Sequence, residues 1–121
     1  MKGTYLKVLP EVLKENANKV LPTKISIKLA KLNFEVEKNI SIYQTVLEKI
    51  IDECAEKDEA GKPKITDDGV ITLIEDKIPV WKEQYGALED EEFDFETKFT
   101  EEELNELSLT ALQAAAMMNL I

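Results

Sequence analysis

The most constraining feature of the chain is a stretch without proline or glycine from Thr23 to about Lys57. Nothing in it breaks a helix, and Leu21-Pro22 just before it disfavours the helical basin, so the spacing predicts one long helix capped by Thr23. Ile25, Leu29, Leu32, Val36, Tyr43, Val46 and Ile50 follow a heptad, with Asn39 where an apolar residue would be expected. Ile27, Phe34, Ile40, Leu47 and Ile51 make a second stripe beside the first. Two stripes predict a wide buried face with more than one neighbour. At the interrupting position, Asn39 reads as partly exposed or water-bonded rather than as a register-setting pair in a dimer.

Around this helix the sequence predicts a mainly α single domain over 1–121, a helical bundle with one small β-hairpin. A first helix is expected from about Pro10 to Val20, with Leu9, Leu13, Ala17, Val20 and Leu21 as its apolar face, or from Thr4 with a kink at Pro10. Gly61 is a candidate left-handed cap. Asp67-Asp68-Gly69 between Ile65 and the run Val70–Leu73 is a hairpin signal, and arms this short must lean on helices. A third helix is expected over about Glu75–Leu88, with Ile78, Trp81, Tyr85 and Leu88 inward. Phe93-Asp94-Phe95 alternates as an extended piece whose phenylalanines pack while its acids stay wet. Thr100 and Glu103 form a capping box, so a last helix is expected from Thr100 to the end, with Ile121 packed. No internal repeat is expected.

Charge and residue usage narrow the function classes. The net charge is −10, there is no histidine, and all 15 basic residues are lysine. Without histidine the commonest general base and metal ligand is missing. Without arginine there is no bidentate fork for phosphate or guanine, and the net charge repels nucleic acid and anionic membranes. The lone cysteine, Cys54, allows no intramolecular disulfide, and acids around it blunt its thiol. Gly61-Lys62 lacks the glycine of a phosphate loop, and Asp67-Asp68-Gly69 lacks the alternating ligands of a calcium loop. A carboxylate-only hydrolase would need a cleft that a small helical domain scarcely offers. The expectation is no enzyme, no cofactor, no metal, no nucleic-acid partner and no membrane. No apolar run approaches the ~20 residues of a membrane span, and Met1-Lys2-Gly3-Thr4-Tyr5 does not open a signal peptide. A soluble cytoplasmic protein is expected.

Two features suggest protein binding. Residues 1–49 carry nine lysines against five acids, whereas 50–121 carry six against twenty, densest from Glu89 to Glu106. Glu91, Glu92, Asp94, Glu96, Glu101, Glu102 and Glu103 are the candidate acidic face. After Glu106 no charged side chain follows. Leu104, Leu107, Ala111, Ala115 and Met118 form one stripe of that tail, and Leu109, Leu112, Ala116 and Leu120 another. With Met117 and Ile121, the candidate partner surface is Leu109, Leu112, Ala116, Met117, Met118, Leu120 and Ile121. Burying this helix together with the long one in a chain of 121 residues favours a homo-oligomer.

Several segments carry a resemblance: Val20-Leu21-Pro22-Thr23-Lys24, Lys28-Leu29-Ala30-Lys31-Leu32, the run Glu56–Ile65, the turn at Gly69, and Glu91-Glu92-Phe93-Asp94-Phe95. In this order they resemble a family of small proteins from phages and prophages of low-GC Gram-positive bacteria. The all-lysine usage agrees with such a setting. The resemblance implies a bacterial cytoplasm and a phage programme, and brings no catalytic or binding residues with it. The expected partner is a virion protein, for an assembly helper, or a host protein, for an inhibitor. The alternative is an acidic DNA mimic.

Overall fold

The computed structural model describes residues 1–121 and is mainly helical, without a sheet. Its helices are α1 (Gly3–Leu6), α2 (Leu9–Asn16), α3 (Thr23–Cys54), α4 (Ile78–Asp90), α5 (Glu101–Asn105) and α6 (Ala111–Met117). One 3-10 turn, Glu75–Lys77, leads into α4, and another, Met118–Leu120, follows α6. No helix is long and apolar enough to cross a membrane. The chain divides into two compact units, one of residues 1–42 with 90–121, the other of residues 43–89.

In the first unit, α1 and α2 replace the single helix expected over Pro10–Val20. The expected apolar face is rotated: Leu6, Leu9, Val12 and Asn16 are buried, while Val20 is 98 % exposed. Helix α2 ends at Asn16, whose side chain bonds both the Val12 carbonyl within the helix and the backbone of Ser108 outside it. Of the two stripes on α3, only the heptad goes inside here, with Ile25, Leu32, Val36 and Asn39 buried. The second stripe is largely surface, with Ile27 52 % and Phe34 72 % exposed. Helical period shows which residues share a face; it does not supply a neighbour to cover that face. Asn39 is buried and donates from Nδ2 to the Asp94 carbonyl at 2.9 Å, a bond within the unit that replaces the expected water.

That bond begins the docking of an extended segment, 91–100. Phe93, Thr97 and Phe99 are buried, Phe95 is half-buried, and Asp94, Glu96 and Lys98 are exposed, the alternation of extended backbone. Glu35 on α3 caps the segment: Oε2 accepts from the Glu96 amide at 2.5 Å, and Oε1 accepts from the Thr97 amide at 3.1 Å and from the Thr97 hydroxyl. Edge amides that would otherwise be unpaired thereby find a charged acceptor.

In the second unit Tyr43, Ile50, Cys54, Ala55 and Leu88 are buried. Trp81 and Tyr85 stack at 5.3 Å with 9° between their planes and remain half-buried, and Ile78 is at the surface. The Tyr43 hydroxyl donates to Glu89 at 2.8 Å. Burial, then the carboxylate of Glu89, raises the Tyr43 phenol above its ordinary range.

The segment between α3 and α4 departs from the expected hairpin. No regular strand forms; the bridges are isolated pairs, Ala55 with Leu73, Lys57 with Pro63, and Ile65 with Ile71. Their hydrogen bonds close a cycle. Glu56 donates to the Thr72 carbonyl (2.8 Å), Thr72 to Lys64 (3.0 Å) and Lys64 to Glu56 (2.7 Å). A second ring of donors, Asp58 to Lys62, Thr66 to Val70 and Ile74 to Cys54, repeats the same eight-residue step. Gly61 and Gly69 sit at equivalent turns with φ of 77° and 79°, which glycine adopts without steric cost. Thus residues 54–77 contain three eight-residue units that no repeat was expected to supply. Because the Cys54 carbonyl accepts from Ile74 and the Asp58 amide serves Lys62, α3 ends at Cys54, short of Lys57.

Candidate partner-binding surface

The C-terminal segment forms two helices where one was expected. Thr100 accepts from the Glu103 amide, and Glu103 accepts from the Thr100 amide at 2.8 Å, so α5 begins with the expected capping box. Thr110 and Gln113 make a second box, with bonds of 3.2 and 3.0 Å, and start α6 afresh. Between them Asn16 holds the chain. Its Oδ1 accepts from the Ser108 amide at 2.8 Å, and its Nδ2 donates to the Ser108 carbonyl at 3.1 Å and the Val12 carbonyl at 2.8 Å. An amide side chain carries a donor and an acceptor on separate atoms and can satisfy both backbone groups of one residue, which an ionised carboxylate, an acceptor only, cannot do.

This geometry decides which C-terminal residues face out. Helix α6 packs on α1 and α2, and its buried residues Gln113, Ala116 and Met117, with Leu120 beyond, fall at i, i+3, i+4 and i+7. The Phe99 amide donates to the Leu120 carbonyl at 2.7 Å and anchors the end. Of the candidate partner residues, Ala116, Met117 and Leu120 are therefore core residues. Each fully buried large apolar side chain contributes about 1.5–3 kcal/mol to folding and is not available outside. Leu112, Met118 and Ile121 are 57, 56 and 49 % exposed, and Leu109 is half-buried. The expected packing of Ile121 is not found. Leu109 and Met118 line an open groove of about 240 Å³ with Glu101, Leu104, Asn105 and Ala114.

The acidic candidates divide similarly. Glu91, Asp94, Glu96, Glu101 and Glu102 are exposed. Glu92 accepts from the Met1 ammonium at 2.9 Å, a bond that lowers its pKa. Glu103 accepts from Lys28 Nζ at 2.6 Å, and this bond, followed by the Thr100 amide, holds its carboxyl below the usual range. Lys28 also lies 5.7 Å from the centroid of Phe99. Glu103 is thus a structural anchor between α5 and α3. Cys54 is fully buried, and burial, then Glu53, raises its thiol pKa.

Residue patterns could have exposed part of what was missed. Thr110-Ala111-Leu112-Gln113 fits the same capping signature as Thr100–Glu103, and Gly61 and Gly69 stand eight residues apart, each three after Asp58 or Thr66. The Asn16–Ser108 clamp spans 92 positions and has no local signal. No protein family, curated protein or solved structure matches the chain.

Proposed function

We propose that the chain is a non-catalytic, phage- or prophage-encoded helical-bundle protein whose task is to bind another protein, as a virion-assembly helper or as an inhibitor of a host protein. The observation that carries this reading is the exposure of Leu112, Met118 and Ile121 in the C-terminal segment, where Met118 also lines a groove with Leu104, Leu109 and Ala114. Single exposed apolar residues are ordinary, but several in a segment that also lines a groove mark an interaction surface. Glu101 lines the same groove and Glu102, next to it in the chain, is exposed, so the negative charge of this segment would speed the approach of a basic partner.

The test is affinity capture from phage-infected cells at low and high salt, using the wild type, Leu112→Asp with Met118→Asp, and Glu101→Lys with Glu102→Lys. Glu103 is left intact because it holds Lys28. The expected result is one partner that survives high salt and is lost with the apolar pair. A virion protein identifies an assembly helper, and a host protein identifies an inhibitor. Capture unaffected by the apolar pair would refute the assignment of this surface. A DNA mimic would instead lose its partner on charge reversal and in high salt.

A further inference from the structure

The first unit carries a second surface, on which charges of both signs lie side by side. Lys24, Lys31 and Lys38 recur every seven residues along α3, so they share one side of the helix. All three are exposed and none forms a salt bridge. Beside them runs the extended segment 93–99, antiparallel to α3: Asp94 is bonded at Asn39, Thr97 at Glu35, and Glu103 further along at Lys28. Inward packing of Phe93, Thr97 and Phe99 turns Asp94 and Glu96 outward. The helix and the segment border an open groove of about 540 Å³, whose lining includes Lys31 and the 72 % exposed Phe34 from α3 and Glu96 and Lys98 from the segment.

A lysine row next to an acidic pair is self-complementary, which is what a two-fold interface between identical chains requires. We infer that this face binds a second copy of the chain, lysine row over acidic pair in both directions. The charges also choose the symmetry axis. A two-fold axis parallel to α3 sets Lys38 of one copy over Asp94 of the other, at the same level along the helix. A two-fold axis across α3, in the plane of the contact, sets lysine over lysine and is repelled. The two copies of α3 therefore run parallel. Repulsion between two chains of net charge −10 opposes the contact at long range, but it is screened over about 8 Å at physiological ionic strength, whereas contacting pairs are screened less. This surface omits Leu112, Met118 and Ile121, so self-association and partner capture are separable.

The test is sedimentation equilibrium at physiological ionic strength, with circular dichroism to verify folding. The wild type is expected to be a dimer. Lys31→Glu with Lys38→Glu, and separately Asp94→Lys with Glu96→Lys, each remove the pairing of opposite charges across the contact and are expected to weaken self-association by about tenfold or more. An equimolar mixture of the two variants is expected to form a heterodimer, because Lys31→Glu with Lys38→Glu on one copy is complementary, in the reversed sense, to Asp94→Lys with Glu96→Lys on the other. A second measurement needs only single substitutions. Lys38→Cys mixed with Asp94→Cys should form an intermolecular disulfide faster than Lys38→Cys alone. A monomeric wild type, homodimers that survive either reversal, no heterodimer from two folded variants, or equal disulfide rates would each overturn the inference.

Discussion

Replacing Asn16 should loosen the C-terminal helix from the rest of its unit. The side chain is 1 % exposed and makes two bonds to the backbone of Ser108, at 2.8 and 3.1 Å. An ordinary intramolecular hydrogen bond contributes about 1 kcal/mol net, and a buried group left unpaired costs about 1–3 kcal/mol. Ser108 itself is exposed, so water can reach part of what Asn16→Ala releases. Two bonds at the ordinary value, plus a small cavity, give a loss of about 2–3 kcal/mol. Urea denaturation followed by far-ultraviolet circular dichroism measures it, and amide exchange at Ser108 places it. A loss below about 0.5 kcal/mol, the range of featureless surface changes, would refute the clamp.

Asn16→Asp sharpens the same test through its sign. A carboxylate keeps the bond from the Ser108 amide but turns its second oxygen toward the Ser108 and Val12 carbonyls. Repulsion there disfavours the charged form, so the folded-state pKa of the introduced group rises above its unfolded value of about 3.9. For a raised carboxyl the destabilisation is complete above the folded pKa and vanishes below the unfolded one. The stability gap to the wild type should therefore narrow as the solution is acidified. A gap independent of pH would show that the second oxygen does not face those carbonyls.

Other substitutions probe the remaining anchors. Gly61→Ala and Gly69→Ala should each cost about 1–2 kcal/mol from the left-handed backbone alone, since an added Cβ meets nothing within 4 Å at either position; D-alanine there should be neutral in the same urea titration. Thr110→Ala should cost about 1 kcal/mol as a lost cap and speed amide exchange at Gln113. Glu35→Ala should cost about 2 kcal/mol, in the range for hydrogen bonds to a charged group, and deprotect the amides of Glu96 and Thr97. Because Glu103 has a lowered carboxyl pKa, its contribution is present above the unfolded value of about 4.3 and is lost as pH falls through the folded one. Lys28→Met should flatten that part of the stability profile, and an unchanged profile would contradict the pairing.

Legibility in the sequence followed the range of the interaction. Helix α3 was readable because thirty-two residues without a breaker carry a heptad of which Ile25, Leu32, Val36, Tyr43 and Ile50 are buried, although Val46 of the same heptad is exposed; its C-terminal limit was not, because Ile74 claims the Cys54 carbonyl from twenty residues away. The Thr100–Glu103 box and the alternation at Phe93 are local, and both appear where expected. Asn16 carries no local mark of its role, because the Ser108 backbone that it holds lies 92 positions away. Ile27 and Phe34 looked like core because they matched a period, yet their unit leaves more than half of each exposed. The acidic strip was visible as composition. Its division into anchors, Glu92 and Glu103, and free carboxylates depended on which cations the fold brought close.

The split between α5 and α6 shows how one distant residue can set a surface. A continuous helix from Thr100 would keep Leu104, Leu107, Ala111, Ala115 and Met118 on one face, and Met118 would follow Leu104 inward. In the folded chain the break at residues 106–110 resets the phase. The core positions of α6 become Gln113, Ala116, Met117 and Leu120, while Ala111, Ala115 and Met118 turn to solvent. A polar Gln113 is tolerable at a buried position because its side chain closes the capping box, and an alanine at 116 permits close packing on the preceding helices. The exposed set is thus a consequence of the same break that fills the core. Selection for a stable core alone would not require leucine at 112 or methionine at 118, where small polar residues would satisfy the helix equally well, and that surplus of apolar surface is the physical reason to look there for a partner.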